Sequence, residues 1–487
     1  MKPNFSSIKN FREFFLFLLP LFFVFHGFVA YYHFIPIKDG LSLFGYYTAF
    51  ALLFSLLIYF IFRSWRKAAL FTFCLFSFHF FFGSWHDASK EAFGSIFFNR
   101  YSFIIPFFFA LFLFLFFAIK KSKRKFDRTT KYLNILLFVF LLWDVVVLVQ
   151  KINKRSHDSE LVVTKSICDT CSKPDVYLII ADEYASSREL KEVFHFRNDS
   201  FENALTQRGF YAVSSPQSNY NSTPFSVSSI LNFSYLPLKN PNHSMNDYGT
   251  ILEMIRNNKV QQALNGLGYQ SVNNSFFDLQ GLPSQVEESL LPAKTKYITG
   301  QTFISRIMRD IMFNLVTKFK FKWAVKNDIY KSRGANQLLY NRTLQSISLA
   351  SPKFSYTHLM LPHPPFYYDE NCNENPLRIV TNETNKEAYV NYVQYANKKY
   401  LYLIAQILTK SAKPPIIILM SDHGFRGMTL NNRTYDFDNI IYLYLPSKKY
   451  APYYQGMSNV NLFRLLLNNE FGQQYPLLKD STISLKD

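Results

Sequence analysis

The sequence predicts a chain in two parts: a bundle of five membrane-spanning helices, then an α/β domain built on a mostly parallel central sheet. Three observations carry this. Residues 1–150 are rich in phenylalanine and leucine and hold five long apolar runs. Basic residues crowd alternate connections between those runs. Beyond residue 174, short apolar strand-like runs alternate with helical stretches, the pattern of a parallel sheet with crossover helices.

The apolar runs cover 14–34, 43–62, 68–85, 101–119 and 133–149, each about the length a bilayer requires. The first is too long for the core of a secretory signal and lacks a small-x-small exit, so it is read as a retained span. Lys2, Lys9 and Arg12 precede it. Arg63, Arg66 and Lys67 follow the second run, and seven Lys/Arg lie between 120 and 131. The other connections carry only Lys38, Lys90 and Arg100, with Asp39, Asp87 and Glu91 beside them. Positive charge stays on the cytoplasmic side. The N-terminus is therefore expected inside a plasma (inner) membrane, with everything after the fifth span extracytoplasmic. This gives a transmembrane domain over 1–150, a polar juxtamembrane linker over 151–174 and an outer domain over 175–487.

The net charge of +19 is thus partly topological. The remaining mild excess on the outer domain suits an anionic lipid surface. Nucleic acid is excluded as a partner, because the densest basic run is one short connection between spans. Asp144, His26 and His79 fall inside spans, where pairing within the bundle is expected. Cys168 and Cys171 form one Cys-x-x-Cys pair with no second pair, so a local disulfide or free thiols are expected rather than zinc.

In the outer part, strands are expected at 176–181, 209–213, 354–361, 415–420 and 440–445. Helices are expected at 199–208, 251–264, 387–410 and 459–468, with Gly266 near a helix end. Ligands of such sheets bind beyond the carboxyl ends of the strands, and chemistry-bearing residues stand there. DVYLIIADEY ends in Asp182 and Glu183, FSYTHLMLPHPPFYY carries His358 and His363, and PIIILMSDHG ends in Asp422 and His423. Carboxylates and imidazoles of this kind suit Zn2+ or Mn2+. Between the first two runs lies a hydroxyl-rich turn, 219–228, beginning at Asn219. Thr223 followed by Pro224 reads as an N-cap with proline at the first helical position. A helix starting there would aim free N–H groups at a phosphoryl group on Thr223.

These segments resemble a known family. Thr223-Pro-Phe-Ser-Val-Ser228 is similar to the nucleophile region of the membrane phosphoethanolamine transferases that modify lipid A. His358-x4-His363-x-Pro365-x-Tyr367-Tyr368 is similar to their His-x4-His-Gly-Pro-x-Tyr-Tyr. Ser421-Asp422-His423-Gly424 matches their metal motif. Five spans followed by an external catalytic domain is also the layout of lipoteichoic acid synthases. All belong to the alkaline-phosphatase/sulfatase superfamily.

The resemblance implies an alkaline-phosphatase-like fold and an enzyme that moves a phospho-headgroup, phosphoethanolamine or phosphoglycerol in type. The donor would be a phospholipid and the acceptor a surface glycan or lipid. Thr223 would be nucleophile and metal ligand. Asp422 and His423 would be ligands together with Asp182 or Glu183, Asp182 being favoured by the Asp-Glu-Tyr register. His363, with His358, Asn219 and Arg426, would contact substrate. The metal would be Zn2+, with Mn2+ possible. The family's further histidine after Asp-His-Gly is missing, Tyr435 standing near its place, so one metal is expected, with Arg426 and Arg433 available to hold an anion. The alternatives are a sulfatase or phosphodiesterase-type hydrolase, and a non-catalytic lipid-binding regulator. Ser222-Thr-Pro-Phe-Ser226 begins like the Ser-x-Pro-x-Arg sulfatase motif but carries Ser226 in place of arginine.

Overall fold

The computed structural model describes residues 12–485, except 33–34, 95–96, 156–172, 239–244, 287–294, 313–321, 427–428 and 431–432. Cys168 and Cys171 lie outside the described residues. The chain forms two compact units. One comprises Met1–Glu160 with Glu288–Val325, the other Leu161–Glu287 with Lys326–Asp487.

The first unit holds five long helices: α1 (Phe15–Ala30), α2 (Ile37–Phe62), α3 (Trp65–Phe93), α4 (Tyr101–Lys121) and α5 (Asp127–Arg155). Helices α2 to α5 are long and apolar enough to cross a membrane, and α1 is a shorter apolar helix. Each expected span falls on one of them. The first shrinks to 16 residues, about 24 Å at the α-helical rise. Aromatic side chains fill the bundle, as where Phe23 stacks on Phe80 at 4.4 Å. Some polar groups pair across the bundle. His26 meets Asp144 at 2.9 Å, and Ser55 donates to Thr72 at 2.9 Å. At the basic end Arg66 binds Glu13 at 2.7 Å and also Asp127. Lys67 donates to the Lys120 and Ser122 carbonyls there.

The second unit is a six-stranded sheet in the order β2-β8-β5-β1-β4-β3. Its strands are β1 (Val176–Ala181), β2 (Tyr211–Ala212), β3 (Gln270–Asn274), β4 (Lys353–Leu359), β5 (Ile416–Met420) and β8 (Ile441–Tyr444). A two-stranded ribbon, β6 (Thr429–Leu430) with β7 (Arg433–Thr434), stands apart. The β5-β1-β4-β3 pairs are parallel, while β8 runs antiparallel to β5 and β2 antiparallel to β8. Strand β1 is central and buried throughout, so its run is apolar on both faces. Tyr177, Ile179 and Ala181 pack with Tyr389, Tyr392 and Tyr400 of the Lys386–Lys410 helix. Val176, Leu178 and Ile180 pack with Val227 and Ile230 of the Thr223–Asn232 helix and Leu462 and Phe463 of the Asn459–Phe471 helix.

Three differences from the expected elements have physical causes. The helix expected at 251–264 is two, Met245–Arg256 and Lys259–Gly266. They divide at Asn258, whose side chain accepts from the Gln261 N–H at 2.8 Å and so caps the second. Gly268, at φ +87°, takes the left-handed position after it rather than Gly266. Strand β3 has the sequence QSVNN, which carries no apolar run because it lies at the sheet edge.

Candidate metal centre

The carboxyl ends of β1 and β5 lie side by side, with Ile180 opposite Met420. This register sets Asp182 near Asp422 and His423, which come directly after two neighbouring strands. Asp182, Asp422 and His423 each offer one ligand atom, all within 4.8 Å of one another, and all three residues are buried. His423 Nδ1 faces the Gly424 carbonyl at 2.8 Å. A carbonyl only accepts, so Nδ1 carries a proton, which leaves Nε2 as the nitrogen able to ligate a metal. That Nε2 stands 3.3 Å from Asp422 Oδ2 and 3.1 Å from Thr223 Oγ1.

Asp182 Oδ1 and Asp422 Oδ2 are buried without a hydrogen-bond partner. Two adjacent buried carboxylates with spare lone pairs are costly unless a cation shares them. The donor set, two carboxylate oxygens and one imidazole nitrogen, fits Zn2+ or Mn2+.

The backbone around these residues is pinned. Ser226 Oγ donates to the Asp422 carbonyl at 2.6 Å. Asp422 Oδ1 accepts from the Glu183 N–H at 3.1 Å. A Cβ at Gly424 would lie 2.1 Å from the Tyr435 carbonyl oxygen and 2.7 Å from that of Asp438, so only glycine fits after the Asp-His pair.

Glu183 adopts φ +58°, a left-handed conformation that non-glycine residues seldom take. Its side chain serves a second cluster. Glu183 Oε1 accepts from the Arg426 N–H at 3.0 Å and from Arg426 Nε at 3.1 Å. Glu183 Oε2 lies 3.4 Å from His363 Nε2. Burial pulls the His363 imidazole toward neutrality, but the Asp182 and Glu183 carboxylates outweigh it and raise its pKa above the ordinary value. Burial likewise pushes Asp182 up, while His363 and the hydrogen bond from His358 hold it below the usual carboxylate range.

Thr223 is the first residue of its helix, and Ser222 is the N-cap, without a capping side-chain bond. The N-cap expected at Thr223 therefore moves back one residue. That shift matters, because the Thr223 hydroxyl is turned to His423 rather than to its own backbone. Ser226, by contrast, is 1% exposed.

Two expected substrate contacts lie elsewhere. His358 is fully buried, with Nε2 3.2 Å from Asp182 Oδ2 and Nδ1 3.2 Å from the Tyr356 hydroxyl. It orients Asp182 from behind. Asn219 is also fully buried. It accepts from the Val460 N–H at 2.7 Å and donates to the Ser481 carbonyl at 2.9 Å, tying the turn to the C-terminal segment. The Arg433 side chain lies outside the described ones. Tyr435 donates to Glu192 at 2.6 Å, so it is engaged with that carboxylate.

Glu189 was not legible as part of this region. It is fully buried, and its Oε2 accepts from the Phe425 N–H at 3.2 Å. Burial, reinforced by Asp438, Asp436 and Glu183, pushes its pKa up to about 9. Ser186 with Glu189 three residues on is a capping signal, and Ser186 does accept from the Glu189 N–H. Nothing local announces the distant Phe425 contact.

No protein-family model matches the chain, and no curated protein does either. Solved structures similar to it include the C-terminal periplasmic domain of EptC from Escherichia coli (14% identity, 62% of this chain and 84% of that one, TM-score 0.38). The corresponding domain of the phosphoethanolamine transferase EptC from Campylobacter jejuni matches at 15% identity (61% and 89%, TM-score 0.35). An alkaline phosphatase superfamily protein from Vibrio parahaemolyticus matches at 11% identity (62% and 67%, TM-score 0.36).

Proposed function

We propose that this protein is a membrane-anchored metalloenzyme that transfers a phospho-headgroup from a phospholipid to a surface glycan or lipid through phospho-Thr223. The domain would face the extracytoplasmic side, as the basic ends of α2–α3 and α4–α5 favour. The observation that carries the reading is the Thr223 hydroxyl, 3.1 Å from His423 Nε2 at the start of a ten-residue helix and beside two unpartnered buried carboxylate oxygens.

Asp182, Asp422 and His423 would hold a divalent ion, Zn2+ or Mn2+, which supplies polarisation of a phosphoryl oxygen and lowers the pKa of the nearby hydroxyl. The chain's own residues do the rest. Thr223 Oγ1, its proton released to solvent water, attacks phosphorus in line, and the bond from phosphorus to the diacylglycerol oxygen breaks, that oxygen leaving as the protonated alcohol. His363, whose pKa Asp182 and Glu183 raise against the effect of burial, donates a hydrogen bond to the phosphoryl group or a proton to the leaving oxygen. Arg426, fixed by Glu183, offers a guanidinium to the phosphate oxygens. The helix N-terminus stabilises the adduct on Thr223. An acceptor hydroxyl then attacks the same phosphorus and gives up its proton, the bond from phosphorus to Thr223 Oγ1 breaks, and Thr223 is reprotonated and freed.

The test is intact-protein mass spectrometry of the full-length protein after incubation with phosphatidylethanolamine or phosphatidylglycerol. A headgroup adduct should appear, and peptide mapping should place it on Thr223. An adduct on Ser222, or none in a metal-loaded sample with every phospholipid class tried, overturns the reading.

A further inference from the structure

The segment 295–312 is drawn from between β3 and β4, yet it belongs to the first unit. Its two short helices, Lys296–Thr299 and Phe303–Ile307, run into a single π turn at Met308–Met312. They pack at the end of the bundle remote from the basic turns. A Cβ on Gly27 of α1 would lie 2.7 Å from the Ile298 side chain. On α3, the Gly83 N–H donates to the Gln301 carbonyl at 2.8 Å. Small residues allow such close approach between membrane helices. Phe303 contacts the Phe78 and Phe82 rings at 5.0 and 4.9 Å. Tyr101 donates to Asp310 at 2.6 Å.

The polarity of this segment is inverted relative to a water-facing helix. Ile304 and Met308, four residues apart on one helical face, are 61% and 57% exposed. Arg306 between them is buried, bound to Asp87 and 2.8 Å from Gln301 Oε1. Water-exposed helices put arginine out and isoleucine in. Apolar side chains outward with charge paired inside is the arrangement lipid favours. The exposed face is also continuous with the apolar surface of the spans. Phe303 and Ile304 line a groove of about 590 Å³ together with Phe50 of α2, Phe78 of α3 and Phe109 of α4. Phe50 and Phe109 are themselves 61% and 70% exposed.

We infer that residues 295–312 are a second membrane-embedded element, with Ile304 and Met308 against phospholipid acyl chains near the bilayer interface. The chain thus returns to the membrane between β3 and β4, after its fifth span. This does not depend on the catalytic reading.

The experiment uses full-length protein in phosphatidylcholine/phosphatidylglycerol vesicles, with native cysteines changed to serine. An environment-sensitive fluorophore is attached at Ile304→Cys, at Met308→Cys or, as an aqueous control, at Thr381→Cys. At 304 and 308 the emission should shift to the blue. It should lose intensity with lipids spin-labelled high on the acyl chain, and should resist aqueous iodide. The control should behave oppositely. Quenching by iodide at 304 and 308 as at 381 overturns the inference. Quenching by neither agent also overturns it, because protein rather than lipid would then cover the face. Circular dichroism of each labelled variant confirms the parent fold, and Phe50→Cys in α2 supplies the lipid-facing standard.

Discussion

Asp182 and Glu183 are consecutive, yet they serve two regions that are held together differently. The inner region, Asp182 with Asp422, His423 and Thr223, is positioned by backbone: neighbouring parallel strands, a pinned Asp422 carbonyl and a helix start. Two of its carboxylate oxygens lack protein partners. The outer region, Glu183 with His363 and Arg426, is positioned by its side chains, the Glu183 carboxylate meeting the Arg426 guanidinium and the His363 imidazole. The left-handed turn at Glu183 lets adjacent side chains diverge into the two. The inner region is therefore short of positive charge and suited to a metal, while in the outer one the Arg426 guanidinium offsets the Glu183 carboxylate.

Removing the Asp422 carboxylate and the His423 imidazole puts this contrast under the greatest strain. The double variant Asp422→Ala/His423→Ala should lose bound metal and all turnover, as read by metal analysis and headgroup transfer. Metal content equal to the parent would show that these residues are not the ligands. Next in size is the nucleophile. Thr223→Ala should abolish adduct formation with folding intact, and Thr223→Ser should retain partial activity. Full activity in Thr223→Ala would remove the inner region's claim to covalent chemistry.

Glu183→Gln separates the regions directly. If the outer cluster only holds His363 and Arg426, metal content stays at the parent level. Turnover should then fall about 10- to 100-fold, the usual cost of losing an orienting group. Loss of metal would instead make Glu183 a ligand. His358→Phe probes the inner region from behind. Its support of Asp182 should be worth about 10- to 100-fold in metal affinity, measured by chelator competition.

The inner region was largely legible in sequence because strand-end motifs report position. A buried strand such as VYLIIA leaves one direction for the residues after it, and Ser421-Asp422-His423-Gly424 carries its own steric reason in Gly424. Whether Asp182 or Glu183 joins the metal group was not legible, since it turns on one backbone dihedral. His358 and Asn219 looked like substrate groups because residue type does not reveal depth. Strand β3 was missed because edge position removes the apolar signal. The return of 295–312 to the first unit was missed because short windows of mixed polarity resemble ordinary loop.

The smallest expected effect concerns Glu189, which lies behind the Asp-His-Gly turn and shares the outer cluster's acidic surroundings. Its carboxyl is fully buried, accepts only from the Phe425 N–H among the described bonds, and has its pKa pushed from 4.5 up to about 9. Between those values the folded protein keeps this proton and the unfolded chain releases it. The group's contribution is thus fully present in acid and is lost as pH rises toward 9. Glu189→Gln keeps an oxygen for the Phe425 N–H and removes the titration. The variant should match the parent near pH 5 and melt a few degrees higher near pH 8, by thermal unfolding of the full-length protein in detergent. A parent whose melting point moves with pH as the variant's does would mean that Glu189 is ionised, with a cation beside it. The contrast between an inner region short of positive charge and an outer one whose carboxylate Arg426 offsets would then have to be redrawn.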